Sequence, residues 1–217
     1  MKGGFNNMMN KAEIRNLLNR REELCNVYQK LENDADSYND MKLMFNSTCN
    51  NIYDTIVEID SKLKTYVLLT PVGEWLLQIK GITPELAAGL LVHFDVKGKE
   101  CAAQFIKYAG TDNYNNPHNN KIRAIMDKVT DSLKANNGLY AKLNEQKFVE
   151  LFSGNLAIGI HTAHIRADRY MKKVFISHLF EEMYREEYGK LPNRHDNTDR
   201  LIIEPEVPYT KEGKCYG

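Results

Sequence analysis

The chain has 217 residues, of which 42% are apolar and 27% are charged, as is typical of a folded globular protein rather than a disordered one. Its 29 basic and 29 acidic residues give a formal net charge of zero, which excludes a strongly basic field over the whole molecule. No apolar run approaches the roughly 18 residues that a membrane-spanning helix needs, and the first residues lack the pattern of a secretory signal. We therefore expect a cytoplasmic protein with no membrane partner.

Apolar residues between positions 10 and 70 recur at alternating steps of three and four, which predicts two amphipathic helices. The stretch "ENDADSYND" between them is rich in residues that favour turns. These features predict an antiparallel helical hairpin or coiled coil over residues 10–70. The hairpin either closes on itself or packs against a second copy, and we expect a homodimer formed through it. The apolar positions are Ile14, Leu17, Leu24, Tyr28, Leu31, Phe45, Cys49, Ile52, Ile56, Ile59, Leu63 and Tyr66.

The segment "LLQIKGITPELAAGLL" (76–91) predicts a short helix, a tight turn and a second helix. Thr83 is placed to cap the second helix, and Pro84 is placed at its first position, where a missing N–H costs nothing. A helix that starts in this way presents unpaired backbone amides and the positive end of its dipole, which together suit a phosphate group. This pattern predicts a DNA-binding helix-hairpin-helix motif. The alternative is an ordinary corner, because the common form of the motif has glycine where this chain has Thr83.

Downstream of the motif the helical pattern continues to about residue 190. A break near "ANNG" separates two amphipathic segments in residues 121–153, and the long helix that follows is predicted to end at Gly189. Residues 191–217 contain three prolines and predict an extended tail. No strand-like alternation is present, so the predicted fold is all-α: a hairpin over 10–70, then a helix-hairpin-helix domain over 71–190.

Basic residues are concentrated locally. Arg166, Arg169 and Lys173 recur at steps of three and four, so one helical face carries all three and can follow a phosphate backbone. A solvated face is the alternative explanation. The full set of predicted DNA contacts is Lys80, Gly81, Ile82, Thr83, Glu85, Lys121, Arg123, Arg166, Arg169 and Lys173.

The stretches "IKGITPELAAGLL" and "FIKYAGTD", with "NPHNNKIRAIMDKVTDSLKANNGLYAKL" after them, resemble the C-terminal helix-hairpin-helix domain of Piv-type DNA invertases and insertion-sequence transposases. The resemblance covers about residues 72–192 and is closest to short, free-standing, often phage-encoded forms. It implies the DNA-handling half of a recombinase, preceded by a coiled coil that holds protomers together. The family's acidic metal-binding half and its serine nucleophile are not seen, since the loop after Tyr-Ala-Gly offers only the hydroxyls of Thr111 and Tyr114.

A metal site is a weaker possibility. His161, His164 and Asp168 fall at i, i+3 and i+7, so a helix places them on one face within reach of a divalent cation. Two histidines beside arginines more often contact phosphate or water, and no fourth ligand is evident. Since the four cysteines form no C-x-x-C pair, we expect neither a metal nor another cofactor, and we predict no catalytic residue.

Three functions are consistent with these patterns. The first is a non-catalytic DNA-binding protein that holds duplex or branched DNA through phosphate contacts. The second is a recombinase or nuclease subunit with an unrecognised metal site. The third is a phage-encoded interaction module that acts on a host protein, with the turn serving only to connect two helices.

Overall fold

The computed structural model describes residues 10–35, 42–111, 119–154 and 158–192. The described ranges contain eight α-helices and no strand, which confirms the all-α prediction. The chain divides into two compact units, residues 1–69 and 70–217. The helices are α1 (Lys11–Ala35), α2 (Lys42–Val67), α3 (Pro71–Gln78), α4 (Pro84–His93), α5 (Ala102–Tyr108), α6 (Asn120–Ala135), α7 (Leu139–Gly154) and α8 (Ile160–Tyr188).

The first unit consists of α1 and α2, which contact each other along their length. The Arg21 guanidinium donates two hydrogen bonds to the Asp60 carboxylate, at 2.5 and 3.1 Å, and the rings of Tyr28 and Tyr53 lie 6.4 Å apart. Position 21 meets position 60 whereas position 28 meets position 53, so the two helices run antiparallel. The segment that joins them, residues 36–41, lies outside the described part of the chain.

Burial of the apolar stripe changes along this unit. On α2, Ile56, Ile59 and Leu63 are buried, whereas Phe45 and Ile52, nearer its start, are only half-buried. Two helices cannot enclose an apolar stripe from every side, because each covers only the face that meets its neighbour. Apolar surface therefore remains exposed at the end of the hairpin that carries the start of α2.

The second unit is built around α8, which contacts α3, α5, α6 and α7. Helix α7 runs antiparallel to α8, since Tyr140 lies beside His178 and Phe148 lies beside His164. The Tyr140 hydroxyl and His178 Nδ1 are 2.9 Å apart in the interior, so each buried polar group has a partner. The largest fully buried side chains of this unit are Trp75, Leu76, Ile79, Leu90, Phe94, Phe105, Ile122, Tyr140, Phe175 and Phe180.

The predicted helix ends of the second unit agree with the structure at two places. Gly189 has a left-handed conformation (φ 67°) and follows the last residue of α8, as predicted for a C-terminal glycine. Between α6 and α7, in the "ANNG" stretch, Asn137 has φ 49°. Among the described helices, none combines the length and the apolar character needed to cross a membrane.

One carboxylate near the start of α3 makes the stability of the second unit depend on pH. Glu186 is exposed as a residue, but its carboxylate accepts a 3.4 Å hydrogen bond from the Val72 amide. Burial raises the pKa of this carboxyl; the Val72 hydrogen bond opposes the shift, and the Glu182 and Glu187 carboxylates reinforce it. Folding therefore favours the protonated form. The ionised carboxyl therefore lowers the free energy of unfolding. This loss of stability is absent below the ordinary pKa of glutamate and is complete once the pH has risen through the raised pKa of Glu186.

We expect Glu186→Gln to raise the melting temperature at pH 7, because glutamine keeps the acceptor for Val72 and removes the charge. At about pH 3.5, below the ordinary glutamate pKa, the variant and the wild type should melt together. Thermal unfolding followed at both pH values measures the effect, with Glu145→Gln on the exposed side of α7 as the control. An equal gain at both pH values would contradict this account.

Candidate nucleic-acid interface

The turn between α3 and α4 is tight and internally bonded. The Ile82 amide donates to the Ile79 carbonyl at 3.0 Å, and Gly81 between them has φ +94°. That conformation is readily accessible only to glycine, so the turn depends on Gly81 at this position. Ile82 itself is buried, with 7% of its surface exposed, and its amide is already used within the turn. Ile82 was predicted to contact DNA, but its buried side chain and its bonded amide stabilise the turn instead of lying at the surface.

Thr83 caps helix α4, as the sequence predicted. Its hydroxyl oxygen accepts a hydrogen bond from the Leu86 amide at 3.3 Å, and its carbonyl accepts one from Ala87 at 2.9 Å. Pro84 takes the first helical position. Thr83 has φ −85°, an ordinary value for a residue with a side chain, so the place where the common motif has glycine does not require one here.

Gly81 also packs directly on helix α6. The Ser132 hydroxyl donates to the Gly81 carbonyl at 2.6 Å, and the Asn136 side-chain amide donates to the Ser132 carbonyl at 2.7 Å. A Cβ added at position 81 would lie 2.7 Å from the Ser132 carbonyl oxygen, closer than real contacts allow. These contacts fix the turn to α6. Sequence reasoning missed Ser132 and Asn136, which are more than 50 residues from the turn along the chain.

Three backbone donors of the turn are not used within it. Within the described part of the chain, the amides of Lys80, Gly81 and Thr83 have no acceptor, and the exposed Lys80 ammonium has no acidic partner. Glu85 is the one acidic residue in the first turn of α4, and its carboxylate lies 3.9 Å from the Lys128 ammonium. The charge of Glu85 is thus partly offset by Lys128. The turn combines unpaired amides, a helix N-terminus and a cation, which is the chemistry that binds phosphate.

Helix α6 extends this surface. It runs antiparallel to α4, because Ser132 meets Gly81 and Ile125 meets Gly89. Lys121 precedes Ser132 by eleven residues, close to three full turns, so it lies on the same side of α6 about 17 Å along the axis. Lys121 is exposed. Lys121 therefore lies on the side of α6 that faces α4, about three helical turns from the residue that contacts Gly81.

The remaining predicted cations lie elsewhere. Arg123 is on the side of α6 that faces α8, where it lines a recess with Arg169. Arg166 is exposed, and Lys173 is half-buried. The structure thus brings Arg123 and Arg169 together but separates them from the turn. Lys172, which also lines the recess, is absent from the predicted set.

The three candidate metal ligands have other environments. Asp168 accepts hydrogen bonds from the Lys134 ammonium at 3.1 Å and the Asn144 side-chain amide at 2.7 Å, so it joins α6, α7 and α8. The His164 ring stacks on Phe148, with centroids 4.0 Å apart and planes at 14°. His161 is exposed. In the described ranges, no group of three histidine, cysteine, aspartate or glutamate side chains is arranged to hold a metal ion.

The Thr111 hydroxyl does not have the surroundings of a nucleophile. The residue is buried, with 7% of its surface exposed, and both its hydroxyl and its amide donate to the Ile106 carbonyl, at 3.0 and 3.1 Å. The hydroxyl proton is therefore donated to a backbone carbonyl, and within the described residues no histidine or carboxylate accepts it. Tyr114, the other hydroxyl predicted near this loop, lies outside the described residues, as does the tail from residue 193.

Comparisons with protein-family models, with curated proteins and with solved structures find no match to this chain. The resemblance to invertases and transposases stays a prediction from the sequence motifs.

Proposed function

We propose that this protein binds DNA through the phosphate backbone and does not cut it. The observation that carries the proposal is the turn at Lys80–Thr83, where three amides have no acceptor within the described residues and the exposed Lys80 ammonium has no acidic partner there. Duplex or branched DNA is the proposed ligand, and the DNA-handling domain of invertases and transposases is the proposed relative.

Preorganisation supports this proposal. The Ser132 hydroxyl bonds the Gly81 carbonyl, Thr83 caps α4, and Gly81 has the left-handed conformation that the turn requires. These interactions fix the backbone of the turn before any ligand binds. A preorganised donor site loses little conformational entropy on binding, so more of its interaction energy remains as affinity. Binding by amides also explains how a chain with no net charge can hold a polyanion.

The spacing of the cations fits a nucleic-acid backbone. Lys121 lies about 17 Å along α6 from the level of the turn, which equals about five base-pair steps at 3.4 Å each. The turn and Lys121 can therefore contact phosphates of the same duplex. Because such contacts carry no base information, we expect binding with weak sequence preference and strong dependence on salt.

A binding titration tests the proposal. Fluorescence anisotropy of labelled duplex and four-way branched DNA is recorded against protein concentration at low salt, and the integrity of the DNA is then checked after incubation with magnesium. We expect saturable binding of both substrates and unchanged DNA. The absence of binding at low salt would overturn the proposal, and nicked or cleaved DNA would favour a nuclease subunit instead.

We further propose that the first unit holds two copies of the chain together. The antiparallel pair of α1 and α2 leaves apolar side chains uncovered at one end, and a second pair packed on it would complete a four-helix bundle. Leu24, Tyr28, Leu31, Phe45 and Ile52 are half-buried there, and Val27 and Met44 are 45% and 72% exposed.

The mass in solution tests this arrangement. A chain of 25.0 kDa is expected to sediment as a dimer at micromolar concentration, because exposed apolar surface is removed from water on association. Ile52→Glu should shift the equilibrium toward the monomer, because a charge would be buried in the new interface. The matched change Asn50→Glu, at an exposed polar position two residues away, should leave the mass unchanged. A monomeric wild type would contradict the proposal.

A further inference from the structure

A second cationic site lies between α6, α8 and the segment that follows α5. It is a recess lined by Gly110, Thr111, Arg123, Asp127, Arg169 and Lys172, together with apolar groups. The basic side chains come from two different helices, and they converge on the recess only because α6 and α8 run side by side. Among the described residues of the lining, Asp127 is the one acidic side chain, beside three basic ones.

One of these cations is held in position by the lone carboxylate. The Lys172 ammonium lies 2.5 Å from Asp127 Oδ1, and its side chain is 16% exposed, compared with 56% for Asp127. Lys172 is therefore the more buried partner of this ion pair, and both of its residues line the recess. Arg123 and Arg169 are half-buried on either side. Guanidinium groups bind phosphate oxygens through two parallel hydrogen bonds, which a compact ammonium group cannot do.

The third wall of the recess, the segment that follows α5, uses its donors within itself. Gly110 has φ 69° and its amide donates to the Lys107 carbonyl at 3.0 Å, while the Thr111 amide and hydroxyl both donate to Ile106. Because these donors are used within the wall, an anion in the recess would be recognised by side-chain cations. This differs from the turn at Lys80–Thr83, where backbone amides are the main donors.

The recess and the turn lie on different sides of α6. Ser132 and Lys128 face α4, whereas Arg123 and Asp127 face α8. At 100° per residue, a residue of one pair lies about 100° to 180° from a residue of the other, around an axis whose cylinder is roughly 10 Å wide. One straight stretch of phosphate backbone at the turn therefore does not pass over the recess.

We propose that the recess is a second phosphate-binding site, formed by Arg123, Arg169 and Lys172, for a phosphate group of a nucleic-acid segment other than the one at the turn. Only the nucleic-acid source of that phosphate rests on the proposed function; the site itself rests on the convergence of three cations. Two phosphate sites on opposite sides of one helix suit branched DNA, whose arms leave in different directions.

The test compares two double variants with the same change in charge. Arg169→Gln with Lys172→Gln removes two cations of the recess and keeps the aliphatic stems. Lys97→Gln with Lys99→Gln removes two exposed cations near Glu187 at the other end of α8, about 22 Å away along the helix. Inorganic phosphate, exchanged for chloride at constant ionic strength, is the first probe, and four-way branched DNA is the second.

We expect phosphate to raise the melting temperature of the wild type and of the Lys97/Lys99 variant by about 2 to 4 °C, and to raise that of the Arg169/Lys172 variant by less, because only the turn at Lys80–Thr83 is left to bind it. For branched DNA, we expect the recess variant to lose at least about tenfold in affinity relative to the control variant. No phosphate response in the wild type, or equal responses in both variants, would overturn the site.

The two probes also separate this inference from the proposed function. If phosphate raises the melting temperature through the recess but the protein binds no DNA, the phosphate site is upheld and nucleic acid is rejected as the source of the phosphate. DNA binding that is equally strong in both double variants would uphold the turn and reject the recess as a contact for DNA.

Discussion

Replacing Gly81 with alanine is expected to lower the free energy of unfolding of the second unit by about 2 to 4 kcal/mol. Two effects add at this position. The φ of +94° is unfavourable for any residue with a Cβ, and the new Cβ would lie 2.7 Å from the Ser132 carbonyl oxygen, which belongs to the backbone of α6 and cannot swing aside. Urea denaturation followed by circular dichroism measures the loss.

Gly98 provides the matched control for this substitution. Its φ of +69° is also positive, but nothing lies within 4 Å of the place where a Cβ would be. Gly98→Ala should therefore lower the free energy of unfolding only through the strained backbone conformation, by about 1 to 2 kcal/mol. The difference between the two variants isolates the contact with α6. Equal losses would show that Gly81 is needed for its dihedral angles alone and that the turn is not pressed against Ser132.

Reversing the charge of Lys80 is expected to reduce DNA affinity by about tenfold or more, because the Lys80→Glu change replaces a cation beside the three unpaired amides with an anion that repels phosphate. The turn itself should survive the change, since the Lys80 side chain is exposed and makes no hydrogen bond or ion pair within the described residues. Lys142→Glu is the control, because Lys142 is also exposed, lies on α7, and its replacement changes the charge by the same amount. Anisotropy titrations at one low salt concentration give both affinities.

A loss of affinity as large for Lys142→Glu as for Lys80→Glu would mean that only overall charge matters. The turn would then have no special role, and binding would be a diffuse attraction between the polyanion and the whole surface. Unchanged melting temperatures in both variants are required before their affinities are compared.

The local features of the fold were predictable from sequence because they depend on neighbours along the chain. The capping role of Thr83 follows from a threonine that precedes a proline at the start of an apolar run, and the end of α8 follows from Gly189. Each involves atoms within four residues of one another. The all-α fold likewise follows from helical periodicity without any strand-like alternation.

The tertiary features of the site were not predictable in this way. Ser132 reaches Gly81 across 51 positions, and Lys172 reaches Asp127 across 45, so neither pair leaves a trace in local spacing. The separation of Lys121 from Arg123, however, could have been predicted from the sequence. Lys121 and Arg123 are two positions apart on a helix, or about 200° around its axis, so they could not both face the same phosphate backbone. The structure places Arg123 in the recess, facing α8.

The salt dependence of duplex binding tests most directly the claim that the turn holds phosphate. The logarithm of the binding constant is measured against the logarithm of the salt concentration for the wild type and for Lys80→Glu. Each phosphate neutralised by a lysine or an arginine contributes a slope of about −0.9, so we expect a negative slope for the wild type and one shallower by about 0.9 for the variant, which lacks the Lys80 ammonium. A wild type whose affinity does not depend on salt, or two parallel lines, would contradict the account.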